Sequence, residues 1–238
     1  DGEQTPGVVF SVQDKVEIAK MLDDLGVERI EAGMPVVSEQ DFEAIKQIVR
    51  LNLNAKIFAF ARATKEDIDM AKECGVSGVI IEIPTSRPKL KYQFPKWSDQ
   101  DIINISVDTV KYAKKLGLET VYFGYDTTRA DYDFLQELYS KVINDGHPDS
   151  IGIVDTMGCI LPGALKEFIK DLKTNFDVKI EIHAHNDFGM AVATSFAAIE
   201  AGAEVIHTCI NGLGERTGNT SLEPIMVGLK VLYGQDVN

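Results

Sequence analysis

Two kinds of apolar pattern take turns along the chain. Short runs rich in β-branched and aromatic residues occur at "ERIEAGM" (28–34), "KIFAFAR" (56–62), "GVIIEIP" (78–84), "ETVYFGYD" (119–126), "SIGIVDT" (150–156), "VKIEIHAH" (178–185) and "EVIHTCING" (204–212). Their length and the turn residues around them predict strands. Between them, segments such as "VQDKVEIAKMLDDLG" and "EQDFEAIKQIVR" repeat apolar residues at three- and four-residue spacing, the period of a helix with one buried face. "SDQDIINISVDTVKYAKKLG" opens on a Ser/Asp capping signal and closes on lysines and a glycine. An internal echo, "DDLGVERIE", "KECGVSGVI", "KKLGLETVY" and "IEAGAEVIH", repeats the order helix end, glycine, strand. It predicts left-handed residues at Gly26, Gly75, Gly117 and Gly202.

Strands that alternate with helices imply parallel pairing and right-handed crossovers. With Asp1 taken as the last residue of an eighth strand, truncated because its body would precede this sequence, the pattern predicts an α/β fold of the (β/α)8 TIM-barrel type. Such barrels typically need about 250 residues. The expectation is one catalytic barrel domain over 1–238, with no linker and no second domain. A doubly wound open sheet is the alternative, although no Gly-x-Gly-x-x-Gly follows the first run.

Composition narrows the function classes. A chain of 238 residues, 45% of them hydrophobic, is long enough to bury a substantial core. Its 24 Lys and Arg against 37 Asp and Glu leave a net charge of -13, which argues against a nucleic-acid partner. No run of about 18 apolar residues predicts a membrane span, and the start does not resemble a signal sequence. The cysteines, Cys74, Cys159 and Cys209, are scattered and odd in number. They read as buried free thiols in a reducing compartment, with a cytoplasmic location as the default.

The densest chemistry lies in "EIHAHNDFGM" (181–190), where His183 and His185 stand two apart at the end of a predicted strand. That spacing turns both rings to one side, and the C-terminal ends of barrel strands are where active sites sit. In a closed barrel, Asp1 and the loop "NGLGERTGN" (211–219), which ends on Asn219, would flank the pair. Two imidazoles, one carboxylate and an amide oxygen suit Zn, Mn, Fe or Co. The plainer alternative is a histidine pair that only caps backbone groups or stacks in the core. Asp187 reads as the cap of the following helix. Thr156 reads either as a donor to a substrate carboxylate or as a local turn bond. Arg62 and Arg129 read as counter-ions of an anionic substrate or as partners of surface acids. His147 and His207 read as structural.

"DGEQTPGV" (1–8), "HAHND" (183–187) and "NGLGERTGN" (211–219) resemble signature segments of the 2-isopropylmalate, homocitrate and citramalate synthases. These belong to the metallolyase barrel superfamily that also holds 3-hydroxy-3-methylglutaryl-CoA lyase. "EAGMPVVSEQDFEAI", "ARATKEDID" and "VDTMG" extend the likeness over essentially the whole chain. "GERTGN" has no cysteine, where the lyases are expected to carry one, which favours the Claisen-type synthases.

The resemblance implies a divalent metal (Zn, Mn, Mg or Co) held by Asp1, His183, His185 and Asn219, polarising the ketone of a 2-oxo acid. It implies acetyl-CoA as co-substrate, with Thr156 at a position that binds the substrate carboxylate and Gln4 at a site-lining position; Arg62 is expected among the substrate-binding residues and Asn211 and Gly212 among those that bind the cofactor. It names Tyr125 and Glu3 as catalytic candidates, although Tyr125 stands where these enzymes usually carry a glutamate. "PTSRPKLKYQF" (84–94) also departs from the usual acidic-histidine loop that helps choose the substrate. The isopropylmalate type, an amino-acid (leucine) biosynthesis enzyme, is the first expectation, on "EAGMPVVSE" and "ARATKEDID". Homocitrate or citramalate synthase, a related acyl-CoA lyase, and a barrel that binds metal and oxo acid without turnover are the alternatives. A homodimer without nucleic-acid or membrane partners is expected, and the C-terminal lid and regulatory segments usual in these synthases are not expected within 1–238.

Overall fold

The computed structural model describes residues 2–237. The seven runs become β1 (Arg29–Glu31), β2 (Lys56–Arg62), β3 (Gly78–Pro84), β4 (Glu119–Tyr125), β5 (Ser150–Asp155), β6 (Lys179–Ala184) and β7 (Val205–Ile206). All pair in parallel, in the order β1-β2-β3-β4-β5-β6-β7. Every crossover steps to the next strand, so the order never reverses. A doubly wound sheet requires such a reversal, and that alternative falls. The sheet also curls, for Arg29 on β1 forms an ion pair with Glu181 on β6 although four strands lie between them. A parallel sheet curled until its edges face each other, with helices outside, is the architecture of a β/α barrel.

The helices are α1 (Val12–Leu25), α2 (Glu39–Arg50), α3 (Lys65–Cys74), α4 (Arg87–Gln93), α5 (Asp99–Lys115), α6 (Tyr132–Lys141), α7 (Pro162–Asn175), α8 (Ala191–Ala201) and α9 (Leu222–Tyr233). Their starts follow local chemistry. Ser11 and Ser98 each accept from the backbone of the third helical residue, whose aspartate bonds back to the serine. Gly26, Gly75, Gly117 and Gly202 all adopt the left-handed conformation the echo predicts. Between sheet and helices lies the larger apolar core, with Val79, Ile81 and Ile83 of β3 facing Ile68 of α3 and Ile102 of α5. A smaller cluster of Phe58, Ile80, Val121, Phe123 and Val154 fills the inside of the curl. Strands buried on both faces explain why their sequences read as continuous apolar runs.

The departures are local. β1 and β7 are shorter than the runs that predicted them, three and two residues against seven and nine. After β1, Gly33 takes a φ of +133° and only single bonds continue the ladder, as in Phe60 N–H to Gly33 O at 2.9 Å. After β7 the chain bonds to its own following loop, Cys209 N–H donating to Thr220 O at 2.9 Å. The segment 84–94, read as a loop, holds α4, capped by Ser86. Of the three thiols expected to be buried only Cys74 is; Cys159 is exposed and Cys209 lies between. Among the described residues no helix is long and apolar enough to cross a membrane.

Candidate active site

His183 and His185 sit at the C-terminal end of β6 with their Nε2 atoms 3.3 Å apart, both side chains buried. The glycine-rich loop 211–219 returns onto this strand end and pairs with it. Asn186 N–H donates to Gly218 O at 2.9 Å, Thr220 N–H donates to Ala184 O at 3.1 Å, and His185 and Asn219 form an isolated antiparallel bridge. Asn219 is thereby buried beside the two rings. The loop needs glycine for steric reasons. A Cβ on Gly214 would lie 2.5 Å from Asn219 Oδ1 and 2.7 Å from its Cγ. On the opposite flank, Gly158 has a φ of +55° and a Cβ there would meet His185 O at 2.6 Å. Gly214→Ala is therefore expected to swing the Asn219 amide away while leaving the fold intact. Calorimetric titration with Mn²⁺ should read a loss of affinity of about 10–100-fold, the range for groups that aim a ligand. Unchanged affinity would remove Asn219 from the ligand set.

The two imidazoles fit a metal. Burial pushes His183 down to about 3, with His207 adding to it, and His185 down to about 4, so both rings are neutral and offer lone pairs at neutral pH. Two nitrogens bound to one ion at about 2.0–2.1 Å stand roughly 3.0–3.4 Å apart, which the Nε2 separation matches. Among the described residues no three His, Cys, Asp or Glu side chains converge in a metal-binding cluster. The donor set described is two imidazoles and the Asn219 amide. Asp1, the fourth expected ligand, lies outside the described residues.

Beneath the pair lies a buried charge network that the sequence reading missed. Arg29 grips Glu181 with both terminal guanidinium nitrogens, Nη1 at 2.9 Å. His207 Nε2 lies 2.7 Å from the same carboxylate, and Ser150 Oγ donates to it at 2.6 Å. His207 Nδ1 reaches Glu31 at 3.0 Å, and the His207 ring meets that of His183 edge-on at 5.6 Å. Burial by itself would raise Glu181, but bonds from His207 and Arg29 outweigh it and hold the carboxyl at about 2. Burial opposes the charge on His207 too, yet Glu31 and Glu181 raise its pKa. His207 is thus structural, as read, but as the centre of an ionic cluster. The available signal was a charged residue at alternate positions inside apolar runs, in "ERIEAG" and "VKIEIHAH".

The remaining candidates separate. Thr156 Oγ1 accepts from Asp126 N–H at 2.8 Å, which leaves its own proton free to donate. Arg216, unassigned from sequence, clamps this region. It grips Asp187 with two bonds of 2.9 Å and donates to Thr156 O at 2.5 Å. Asp187 is therefore not the helix cap; Asn186 Oδ1 takes that role, accepting from Ala191 N–H at 3.1 Å. Tyr125 donates to Gln93 Oε1 at 3.2 Å, and burial pushes its phenol pKa up. Arg62 is held by Asp67 through two bonds of 2.8 Å, and Arg129 by Asp126. Glu3 pairs with Lys15 at 2.6 Å and accepts from Phe10 N–H, while Gln4 is exposed beside it. Asn211 takes a φ of +56° and its N–H donates to Glu223 at 2.8 Å; Gly212 O accepts from Asn219 N–H.

Known proteins resemble the chain in sequence and in fold. The chain is 48% identical over 238 residues to the 2-isopropylmalate synthase of Methanocaldococcus jannaschii, covering 100% of this chain and 46% of that one. It is 45% identical to the homocitrate synthase AksA of Methanopyrus kandleri, covering 99% of this chain and 59% of the other. The chain therefore spans about half the length of the curated relatives it matches. The crystal structure of hydroxymethylglutaryl-CoA lyase from Pseudomonas aeruginosa superposes with a TM-score of 0.84 at 21% identity, over 100% of this chain and 83% of that one, and shares its fold. A family model described as HMGL-like matches residues 1–237, and the chain belongs to the HMGL-like family.

Proposed function

We propose that this chain is the catalytic barrel of a synthase that condenses acetyl-CoA with a 2-oxo acid, in the isopropylmalate, homocitrate and citramalate group. The observation that carries the reading is the convergence of His183, His185 and Asn219 at the C-terminal end of β6, one strand away from Thr156 at the end of β5. His183, His185, Asn219 and, at the chain's start, Asp1 would hold a divalent ion, which supplies Lewis-acid polarisation of a ketone. The neutral imidazoles keep their lone pairs directed at one point. Thr156 donates to the carboxylate of the oxo acid, and Arg216 holds the Thr156 carbonyl and Asp187 in place around it. Phe123, edge-on to His183 at 5.5 Å, keeps water from that side. Tyr125 stays a phenol at neutral pH and acts as a proton donor, not as a base. In the overall reaction the acetyl methyl loses a proton and its carbon bonds to the keto carbon. The keto oxygen gains a proton, and water then cleaves the thioester to release the CoA thiol.

The likeness of "EAGMPVVSE" and "ARATKEDID" favours the isopropylmalate type on sequence alone, but the two relatives' identities of 48% and 45% do not separate the members, and the side chains that face the acid decide among them. Thiol release from acetyl-CoA by the full-length protein tests the condensation. The acids to offer are pyruvate, 2-oxoisovalerate, 2-oxoglutarate and oxaloacetate, each with and without a chelator. Release with one acid, abolished by chelator, is the expected result. Silence with all four in protein that retains metal would sink the proposal.

A further inference from the structure

Three carboxylates point into the barrel from the strands: Glu31, Glu82 and Glu181. Two of them are tied into the network around His207. Glu82 is not, and among the described residues no hydrogen bond or ion pair reaches its carboxyl, although its backbone carbonyl accepts from Ala63 N–H at 3.1 Å. It lies on β3 two residues beyond Ile80, which fills the inside of the curl, while Ile81 and Ile83 face the helices. Its register partners are Arg62 on β2 and Phe123 on β4. Phe123 in turn touches His183, so one wall runs from Glu82 across an aromatic ring to the imidazole pair. Around Glu82 stand Arg62, already chelated by Asp67, and Tyr125, with Lys89 Nζ 5.6 Å from the centre of the Tyr125 ring. Glu82, Tyr125 and Lys89 form a polar arc above the apolar floor of Phe60 and Phe123, whose rings meet edge-on at 5.7 Å.

We propose that this arc receives the far end of the 2-oxo acid and that the acid carries a terminal carboxyl group, so the chain takes a 2-oxo dicarboxylic acid over a branched-alkyl one. The inference rests on the condensation reading for the orientation of the acid, with its oxo end at His183, His185 and Asn219. A branched alkyl group packed on Glu82 would strip water from a carboxyl and give nothing back. A terminal carboxylate instead shares the Glu82 proton and gains the charge of Lys89. Burial raises Glu82 to about 7; Arg62 and Lys89 pull it down and Asp67 pushes it up. Near neutrality the carboxyl is thus protonated in part of the molecules and donates. Binding of a dicarboxylate favours the protonated form, so affinity weakens as pH rises through about 7.

The test is calorimetric affinity of the Mn²⁺-loaded full-length protein for 2-oxoglutarate and for 2-oxoisovalerate, below and above about pH 7, with thiol release measured in parallel. Wild type is expected to prefer 2-oxoglutarate. Glu82→Leu should lower that preference by about 100-fold or more, as expected when a site loses a buried polar partner. Glu82→Gln keeps a donor but no titrating proton, so it should keep the preference and flatten the pH dependence. Tighter binding of 2-oxoisovalerate by wild type, an unchanged ratio in Glu82→Leu, or no binding of either acid would overturn the proposal. Preference for 2-oxoglutarate without thiol release would sink the condensation reading and leave the acid selection standing.

Discussion

His183→Ala is expected to strip the protein of its metal. The ring is buried and neutral, and its Nε2 stands 3.3 Å from that of His185, a separation that one shared ion explains. Truncating it leaves one imidazole and one amide among the described donors. Loss of a group that merely orients a ligand costs about 10–100-fold in affinity, so loss of a ligand should exceed 100-fold. Metal content after dialysis, read by atomic emission, should fall to background. Thiol release should fall with it, while the circular dichroism spectrum stays that of an α/β protein. His147→Ala is the control, because that ring is exposed in the turn before β5. Stoichiometric metal retained in His183→Ala would refute the assignment.

Glu181→Ala should be the most destabilising single truncation on the inner face of the sheet. It leaves the Arg29 guanidinium and the His207 ring buried without their shared counter-ion. Breaking a buried pair in this way costs about 3–5 kcal/mol. In a chain of this size that lowers the melting temperature by on the order of 10 °C. Arg29→Met combined with Glu181→Met should recover part of the loss, since the unpaired charge is then gone and apolar volume replaces it. The effect also has a pH window. The Glu181 pKa is depressed from 4.5 to about 2, so its stabilisation is present above about 4.5 and lost as pH falls through about 2. The His207 pKa is raised above 6.5, so its stabilisation is present below 6.5 and lost as pH climbs through the folded value. The melting-temperature gap between wild type and Glu181→Ala should therefore be widest between about pH 4.5 and 6.5. A gap that is flat with pH would mean that the cost is packing alone.

The alternation of runs and helical periods carried the fold class, because a parallel strand covered on both faces and a helix with one buried face leave different periods in the chain. The left-handed glycines were legible for an equally local reason: Gly26, Gly75, Gly117 and Gly202 each close a helix with a conformation that other residues adopt at a cost. Strand limits at β1 and β7 were less so, because the bonds that end them go to Gly33 and to the loop 211–219. Local propensity has no view of such partners.

The same division runs through the candidate site. "HAHND" and "NGLGERTGN" could be read as neighbours, since topology places strand ends side by side and two-residue spacing fixes a common face. What each side chain grips could not be read, because the partners are remote in sequence. Arg216 takes Asp187 from 29 positions away, and Arg29 takes Glu181 from 152 away. By itself the sequence determined a barrel of alternating strands and helices, with two histidines and an asparagine at one mouth. Only the tertiary structure decided which charges are spent on each other and which, like Glu82, remain unspent on the inner wall. That decision depends on distance and burial between segments that the chain order keeps apart, and hydrophobic periodicity carries no information about either.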